Sequence, residues 1–307
     1  MKRRAFIKTS VGAGVAASAA IAFGNLNRLF AGPLGPPEIP YNMVAVRNGE
    51  PDIMFDKAIE SLGGMKTFVK QGQKVVVKPN IGWDVVPERA GNTNPQLIKR
   101  IIEHCFGAGA KEVYVFDNTC DDWNKCYKTS GIEDIAKEAG AKVVPGNSES
   151  YYHEVEIPKG VRLKNAKVHE LILESDVFIN VPVLKHHSSA DLSIAMKNLM
   201  GVVWDRMYWH RNDLHQCIAD YSTYRQPDLN VIDAYRVMMK NGPRGVSLND
   251  VVTYKTQILS TDIVAADAAA AKVFGSEPED INYIVQAAAL GAGTYDLEKL
   301  NINRIKL

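Results

Sequence analysis

Short apolar runs alternate with helical patterns along the chain from about residue 42 onward. The runs are rich in Val and Ile, and several are apolar at every position, as in Val75-Val76-Val77 and Val177-Phe178-Ile179. A continuous apolar run is typical of a strand that is covered on both faces of a parallel sheet. The predicted strands are 42–47, 74–77, 112–116, 142–144, 177–181, 230–232, 256–259 and 302–305.

Between these runs, apolar residues recur at three- and four-residue spacing, which predicts amphipathic helices. The predicted helices are 55–62, 95–106, 132–139, 192–200, 263–274 and 280–290. Two of them end in Gly-Ala-Gly, as helices with a left-handed last residue often do. The alternation predicts an α/β fold with a mainly parallel sheet and helices on both faces. The aromatic segment 204–228 fits neither pattern, and we expect an irregular insertion that covers the strand ends.

The first 40 residues follow a different pattern. A basic start with Arg3 and Arg4 precedes an uncharged stretch that is too short and too weakly apolar for a typical membrane span. This arrangement resembles a twin-arginine export signal. We therefore expect a signal over 1–31, a stiff Pro/Gly linker over 32–40 and a single α/β domain over 41–307. The alternative is a basic amphipathic helix at the start of a cytoplasmic protein.

An export signal has consequences for location and partners. The protein would be periplasmic or otherwise extracytoplasmic, and the twin-arginine (Tat) export machinery would be one partner. Contact with a membrane would involve at most the N-terminal segment.

Composition excludes several classes of protein. The chain has 307 residues, of which 46% are hydrophobic and 23% charged, as in globular proteins rather than disordered or multi-span membrane proteins. With 36 basic and 35 acidic residues, the net charge of +1 gives no reason to expect nucleic acid as a partner. Four cysteines are too few for a disulfide scaffold.

Polar side chains follow four of the predicted strands. These residues are Lys78 and Asn80, Asp117, Lys185 with His186 and His187, and Asp233. Each could be an ordinary strand exit. In open α/β sheets, however, ligands bind beyond the carboxyl ends of the strands. Two lysines and a histidine pair at one edge of the sheet therefore favour a site for a small anion.

Two predicted helices carry further polar groups. Lys197 and Asn198 lie among apolar residues, where the lysine either contacts a ligand or extends to water. Asp267 lies in a run that is apolar on all sides, so it should be buried and need a cation, donors or a metal. It is either a structural partner of Lys197 or Lys78, or part of the function. Asp262 is placed to cap its helix.

A turn and two cysteines complete the candidate binding groups. The turn Gly242-Pro243-Arg244-Gly245 offers backbone amides and one base that could hold an anion, although such turns are common without a ligand. Cys120 and Cys126 enclose five residues, so a loop disulfide is plausible in an oxidising compartment.

Histidines are the candidate metal ligands. His186, His187, His210 and His215 could supply nitrogen atoms to a transition metal. Each could equally be a surface or hydrogen-bonded histidine.

Taken together, the motifs resemble domain-of-unknown-function family 362. The matching stretches, in order over roughly residues 44–307, are 78–80, 181–187, 197–201, 228–234, 242–245 and 262–268. The resemblance implies little about activity, because the family lacks a settled one. Some members carry a ferredoxin-like module and are described as iron–sulfur proteins. The four cysteines here lack the Cys-x-x-Cys-x-x-Cys spacing, so an iron–sulfur cluster is not expected.

The pattern also has a fainter similarity to lactate racemase-type proteins. Those place histidines after a strand, and a lysine in a following Gly-bounded helix, around a nickel-pincer cofactor. We treat this similarity as analogy.

The function we expect is the binding of a small anion, with or without a metal ion, in a cleft at the strand ends. Lys197 and His187 are the acid/base candidates, and Asp267 would orient a lysine. The candidate ligand-binding residues are Lys78, Asn80, Asp117, Lys185, Asn198, Asp233, Gly242, Arg244, Gly245 and Asp262. The cofactor and the reaction stay unassigned. The alternative is a non-catalytic metal- or iron–sulfur-binding redox or maturation partner.

Overall fold

Ten strands form one sheet in the computed structural model, which describes residues 39–307. The predicted signal over 1–31 and most of the predicted linker lie outside the described residues. Eight strands follow the order β12-β1-β11-β10-β7-β2-β3-β4, and β8 and β9 extend the sheet from β10. Strands β5 and β6 form a separate hairpin. The strands are β1 Met43–Arg47, β2 Lys74–Pro79, β3 Glu112–Val115, β4 Lys142–Val143, β5 Tyr152–Glu156, β6 Asn165–His169, β7 Val177–Val181, β8 Val183–His187, β9 Asp191–Ser193, β10 Leu229–Met238, β11 Val251–Ser260 and β12 Ile302–Lys306.

Most neighbouring strands in the large sheet are parallel. Strands β10, β7, β2, β3 and β4 run in one direction, and β8 is parallel to β10. Strand β11 is antiparallel to both of its neighbours, β1 and β10, while β9 is antiparallel to β8. The predicted mainly parallel sheet is thereby confirmed, and the carboxyl ends of β2, β3, β7 and β8 meet at one edge.

Helices cover both faces of this sheet, as predicted. The helices are α1 Pro51–Ser61, α2 Pro95–Ala108, α3 Trp123–Thr129, α4 Ile132–Glu138, α5 Glu170–Glu174, α6 Ala195–Asn198, α7 Arg206–Arg211, α8 Leu214–Tyr221, α9 Ile263–Phe274 and α10 Asn282–Ala289. Within residues 39–307, none of them has the length and apolarity needed to cross a membrane.

Strand β2 shows why the central runs are apolar throughout. Val75 and Val77 pack into the cluster that contains α1, α2 and α4, whereas Val76 packs into the cluster on the opposite face with α8, α9 and α10. Successive strand residues point to opposite faces, so a sheet covered on both sides needs an apolar residue at every position.

Two segments differ from the expected pattern. The single helix predicted over 192–200 is instead strand β9, the short helix α6 and a 3₁₀ turn, Leu199–Val202. The reason is that Ser193 pairs with Lys185 of β8, which extends the backbone before α6 begins. The insertion at 204–228 contains the helices α7 and α8, and Trp209 and Tyr221 are buried there.

Candidate functional site

A cavity of about 530 Å³ opens at the carboxyl ends of β2, β3 and β8. Its volume lies within the range of small-molecule binding sites. The charged side chains that line it are Lys78, Asp117, Lys185, Lys197 and Arg206. Asn80, Asn198, His187 and His210 line it as well. The structure therefore brings eight of the predicted site residues together and adds Arg206.

The deepest part of the cavity, here called the floor, consists of Lys78, Asn80, Asp117, Lys185 and Asn198. Lys78 Nζ lies 3.0 Å from Asp117 Oδ1 in an ion pair whose side chains are only 1% and 3% exposed. The same ammonium donates to the backbone oxygen of Asn198 at 2.7 Å and to its Oδ1 at 2.9 Å. The Lys78 ammonium therefore has two hydrogen-bond acceptors on Asn198 and an ion-pair partner in Asp117.

Burial and pairing act in opposite directions on this ion pair. Burial lowers the pKa of Lys78 and raises the pKa of Asp117, because both charged forms lose their hydration. The attraction between the two groups opposes both shifts. Asp117 is further fixed because its Oδ2 accepts a 2.6 Å hydrogen bond from the amide of Ile81.

A chain of side-chain amides runs from the floor into the sheet. Asn80 donates to Asn198 Oδ1 at 3.0 Å, Asn198 donates to Asn180 Oδ1 at 2.8 Å, and Asn180 donates to Asn230 Oδ1 at 3.1 Å. At the cavity end, Lys185 Nζ donates to Asn80 Oδ1 at 3.2 Å. Each amide thus accepts from the cavity side and donates away from it.

Lys185 is as buried as Lys78 but has no carboxylate partner within residues 39–307. Its ammonium also donates to the backbone oxygen of Gly91. Burial lowers the pKa of Lys185 to about 7, and the nearby positive charge of Lys197 acts in the same direction.

A second group of residues that line the cavity, here called the wall, consists of His187, Lys197 and His210. Lys197 forms no hydrogen bond or ion pair with any residue in the 39–307 range, and its side chain faces the cavity. Burial lowers its pKa to about 8, and the charges of Arg206 and Lys78 add to that effect. A lysine in this state is readily converted between ammonium and amine near neutral pH.

The two wall histidines are neutral at ordinary pH. Burial lowers the pKa of His187 to about 2, aided by the positive charges of Lys197 and Lys185. Its Nδ1 accepts a 3.1 Å hydrogen bond from the amide of Ser189, so the ring proton is on Nε2. His210 stacks on it with ring centroids 6.4 Å apart, and burial lowers its pKa too.

Asp267 contributes indirectly, by holding helix α6. Its two oxygens accept from the amides of Ala195 at 2.7 Å and Met196 at 3.1 Å, in the first turn of the helix that carries Lys197. Burial raises the pKa of Asp267 to about 8, and these amides oppose the shift. The expected pairing with Lys197 or Lys78 is not formed, because backbone donors satisfy the carboxyl group. Asp267 does not line the cavity.

Gly201 packs closely against the ion pair of the floor. A Cβ at this position would overlap both Asp117 Oδ1 and Lys78 Nζ, so the ion pair fits only against glycine. Arg206, on the neighbouring helix α7, donates to the backbone oxygens of Asn118 and Thr119 after β3. The sequence analysis did not single out Arg206, although it is a base within the segment expected to cover the strand ends.

The remaining predicted carboxylates lie outside the cavity. Asp233 accepts from the amides of Asn94 at 2.7 Å and Tyr235 at 3.0 Å, which anchors the loop before α2. Asp262 caps α9, as predicted, and its second oxygen accepts from Thr294 at 3.0 Å. Their contacts are structural.

The turn at 242–245 lies at the rim, and only Pro243 of its residues lines the cavity. The amide of Gly242 donates to His186 Nδ1 at 3.1 Å, and Arg244 pairs with Asp121 at 3.2 Å. Gly245 has a φ of 77°, in the left-handed region that favours glycine. The expected anion contacts of this turn are therefore replaced by contacts within the protein.

The four candidate metal ligands are not gathered in one place. His187 and His210 face the cavity, whereas His186 contacts Gly242 and His215 stacks on Tyr283 at 5.9 Å. Within residues 39–307, no group of three or more His, Cys, Asp or Glu side chains is arranged to hold a metal ion.

The candidate disulfide is likewise not formed in the structure. All four cysteines, which lie in the described range, are free thiols. Cys126 is buried with its sulfur 3.7 Å from the oxygen of Gly82, while Cys120 is exposed and lines the cavity.

Comparison with known protein families identifies the family to which this chain belongs. The model of the family described as "Domain of unknown function (DUF362)" matches residues 75–272, a range that contains the floor and the wall. The chain belongs to this family. The expected membership is confirmed, and the family's description assigns no activity to the cavity.

Relatives and solved structures extend the comparison. A thylakoid-associated protein of Synechocystis sp. is 24% identical over 241 residues, covering 76% of this chain and 73% of that protein. A protein of Thermotoga maritima is 12% identical, with a TM-score of 0.50 over 74% of this chain. The lactate racemase apoprotein of Thermoanaerobacterium thermosaccharolyticum is 11% identical, with a TM-score of 0.44 over 82%. The chain spans 60% and 58% of these two structures, and the likeness concerns the fold alone.

Proposed function

We propose that the cavity binds a small anion that carries a carboxylate or phosphate group. The observation that supports this proposal is the set of three cations, Lys185, Lys197 and Arg206, that line one cavity without a carboxylate partner in the described range. The single carboxylate in the lining, Asp117, is already paired with Lys78.

Electrostatics explains why an anion would be held. Like charges in a poorly hydrated cavity disfavour each other's charged forms, and this effect contributes to the lowered pKa of Lys185 and Lys197. A bound anion removes this penalty and accepts charge-assisted hydrogen bonds. Each such bond contributes about 1.5–3 kcal/mol.

The groups that face the cavity suggest distinct roles. Lys197 has free donors for an anionic oxygen, and Arg206 adds a fixed positive charge on the neighbouring helix. His187 offers a neutral Nε2–H as a further donor. Because the pKa of Lys197 is about 8 whereas that of His187 is about 2, Lys197 is the one of these two acid/base candidates that we assign to proton transfer with the ligand.

Binding can be tested directly by titration calorimetry on the full chain. The probes are lactate, pyruvate, acetate, inorganic phosphate and sulfate. We expect at least one to bind, and Lys197→Met to weaken its Kd by about tenfold or more, since 1.4 kcal/mol corresponds to tenfold. The matched control is Lys128→Met on the exposed side of α3, which should leave the Kd unchanged. If none of the probes binds, or both variants bind like the wild type, the proposal fails.

We also propose that the chain is exported, on the basis of the twin-arginine-like start. The name of the Synechocystis relative places that protein at a thylakoid. Cell fractionation of the wild type and of a variant with both Arg3→Lys and Arg4→Lys tests the proposal. Export of the wild type and retention of the variant are expected, and equal cytoplasmic retention of both would contradict it.

A further inference from the structure

The three lysines of the cavity differ in how their amino groups are held. Lys78 has two hydrogen-bond acceptors and an ion-pair partner, and Lys185 has two acceptors, Asn80 Oδ1 and the Gly91 oxygen. Lys197 has none within residues 39–307, yet its side chain faces the same space. It is therefore the cavity lysine that can approach a bound molecule without breaking an existing contact.

The surroundings of Lys197 favour a neutral, nucleophilic amine. Burial and the neighbouring cations Arg206 and Lys78 lower its pKa to about 8, so a substantial fraction is unprotonated near neutral pH. A desolvated lysine beside other cations is a known way to activate an amine for attack on a carbonyl group. If the only role of this residue were to neutralise an anion, a group that stays fully charged at neutral pH would fit that role better.

Resting on the anion site proposed above, we propose that the ligand is a small oxo acid and that Lys197 Nζ forms an imine with its carbonyl carbon. An oxo acid carries both groups that the cavity matches, a carboxylate for Lys185 and Arg206 and a carbonyl for the free amine. In a 2-oxo acid these two groups are adjacent, which suits a cavity of about 530 Å³.

The chemistry balances without any further reactant. The Lys197 lone pair forms a bond to the carbonyl carbon as the C=O π bond breaks, and a proton passes from the nitrogen to the oxygen to give a neutral carbinolamine. A proton from solvent then converts the hydroxyl group to water, the C–O bond breaks as the C=N bond forms, and the proton taken up appears as the positive charge of the protonated imine. His187 Nε2–H, which is neutral and faces the cavity, is placed to donate to the departing oxygen.

Reductive trapping tests this inference on the full-length protein. Pyruvate, 2-oxoglutarate and acetoacetate are each incubated with the protein and sodium cyanoborohydride, and the modified lysine is identified by peptide mass mapping. An adduct equal to the mass of the oxo acid less one oxygen is expected on Lys197. Because the pKa of Lys197 is about 8, its unprotonated fraction at neutral pH is larger than that of an ordinary lysine, whose pKa is about 10.4. The ratio of the two fractions is on the order of 10². Labelling of Lys197 should exceed labelling of the exposed Lys128 by a similar factor.

A conservative variant and matched ligands separate the possible outcomes. Lys197→Arg retains the charge but cannot form an imine, so trapping at this position should be lost. Peptide mapping of the wild type needs no variant and stands if this one misfolds. If lactate or pyruvate binds by calorimetry but no lysine is trapped, the imine is overturned and the anion site stands. Trapping on Lys78, Lys185 or surface lysines alone also overturns it. If no anion binds at all, both proposals fail.

Discussion

The floor and the wall of the cavity use lysine in opposite ways. On the floor, Lys78 is 1% exposed, donates two hydrogen bonds to Asn198 and forms an ion pair with Asp117. On the wall, Lys197 faces the same cavity and contacts no acceptor in the described range. Under the proposed function, this difference corresponds to a division of tasks, in which the floor is formed before a ligand arrives and the wall contacts the ligand. Four predictions test the difference between floor and wall.

The largest expected effect is on the floor. Asp117→Asn removes the carboxylate from the buried pair and leaves the Lys78 charge uncompensated, which should lower the free energy of unfolding by about 3–5 kcal/mol. Urea denaturation measures this change. The control is Glu60→Gln, which removes a 3.2 Å ion pair to Lys57 whose two side chains are more than half exposed and should cost no more than about 1 kcal/mol. If both variants lost the same free energy of unfolding, burial would not make the Lys78–Asp117 ion pair more important for stability than an exposed pair.

The packing around Gly201 should be the next most sensitive feature. Gly201→Ala places a methyl group against Lys78 Nζ and Asp117 Oδ1, and overpacking of this kind costs about 1–3 kcal/mol. We expect a lower thermal midpoint together with weaker anion binding. Gly107→Ala in α2 is the matched control, since nothing lies within 4 Å of its added Cβ. An unchanged midpoint in Gly201→Ala would contradict the close packing.

On the wall, we expect a substitution to affect anion binding more than stability. Lys197→Met removes a charged group that has no partner among residues 39–307, so the free energy of unfolding should change by less than about 1 kcal/mol or increase. The same change is expected to weaken anion binding, as described above. Urea denaturation of this variant beside Asp117→Asn compares wall and floor directly. If Lys197→Met lost as much free energy of unfolding as Asp117→Asn, the difference between the wall and the floor would be contradicted.

The smallest expected effect is a pH dependence of a few-fold in affinity. An anion binds the protonated lysines and raises their pKa, so affinity is highest below pH 7 and falls as pH rises through about 7 for Lys185 and about 8 for Lys197. Binding near pH 7.5 should take up protons. Calorimetry in two buffers with different ionisation enthalpies measures this uptake, and a Kd that is constant from pH 6 to 9 would speak against it.

Much of the site could be predicted from chain order alone. Lys78, Asp117 and Lys185 each follow or end a parallel strand, and the carboxyl ends of such strands share an edge. Strand alternation also separates the histidine pair, because Lys185 and His187 are two residues apart and share a face whereas His186 points to the other. The sequence did not show whether the cavity would lie on the face of Lys185 and His187 or on the face of His186.

Long-range contacts account for what the sequence missed. The role of Asp267 depends on α6 beginning at Ala195, and that start depends on β9 pairing with β8. No local sequence pattern indicates that β9 pairs with β8, so the sequence alone predicts a single helix over residues 192–200. Arg206 was missed because its position depends on the path of α7 across the strand ends.

The chain of amides from Asn80 through Asn198 and Asn180 to Asn230 has an electrical consequence. All four side-chain dipoles point the same way, with oxygen toward Lys185 and nitrogen toward the interior, where Asn230 donates to the Ser260 oxygen at 3.4 Å. Their aligned negative ends give the cationic cavity a partial counter-charge that carries no formal charge of its own. The amide chain thereby places partial negative charge beside Lys185 without a second carboxylate in addition to Asp117, and under the proposed function a bound anion supplies the remaining negative charge.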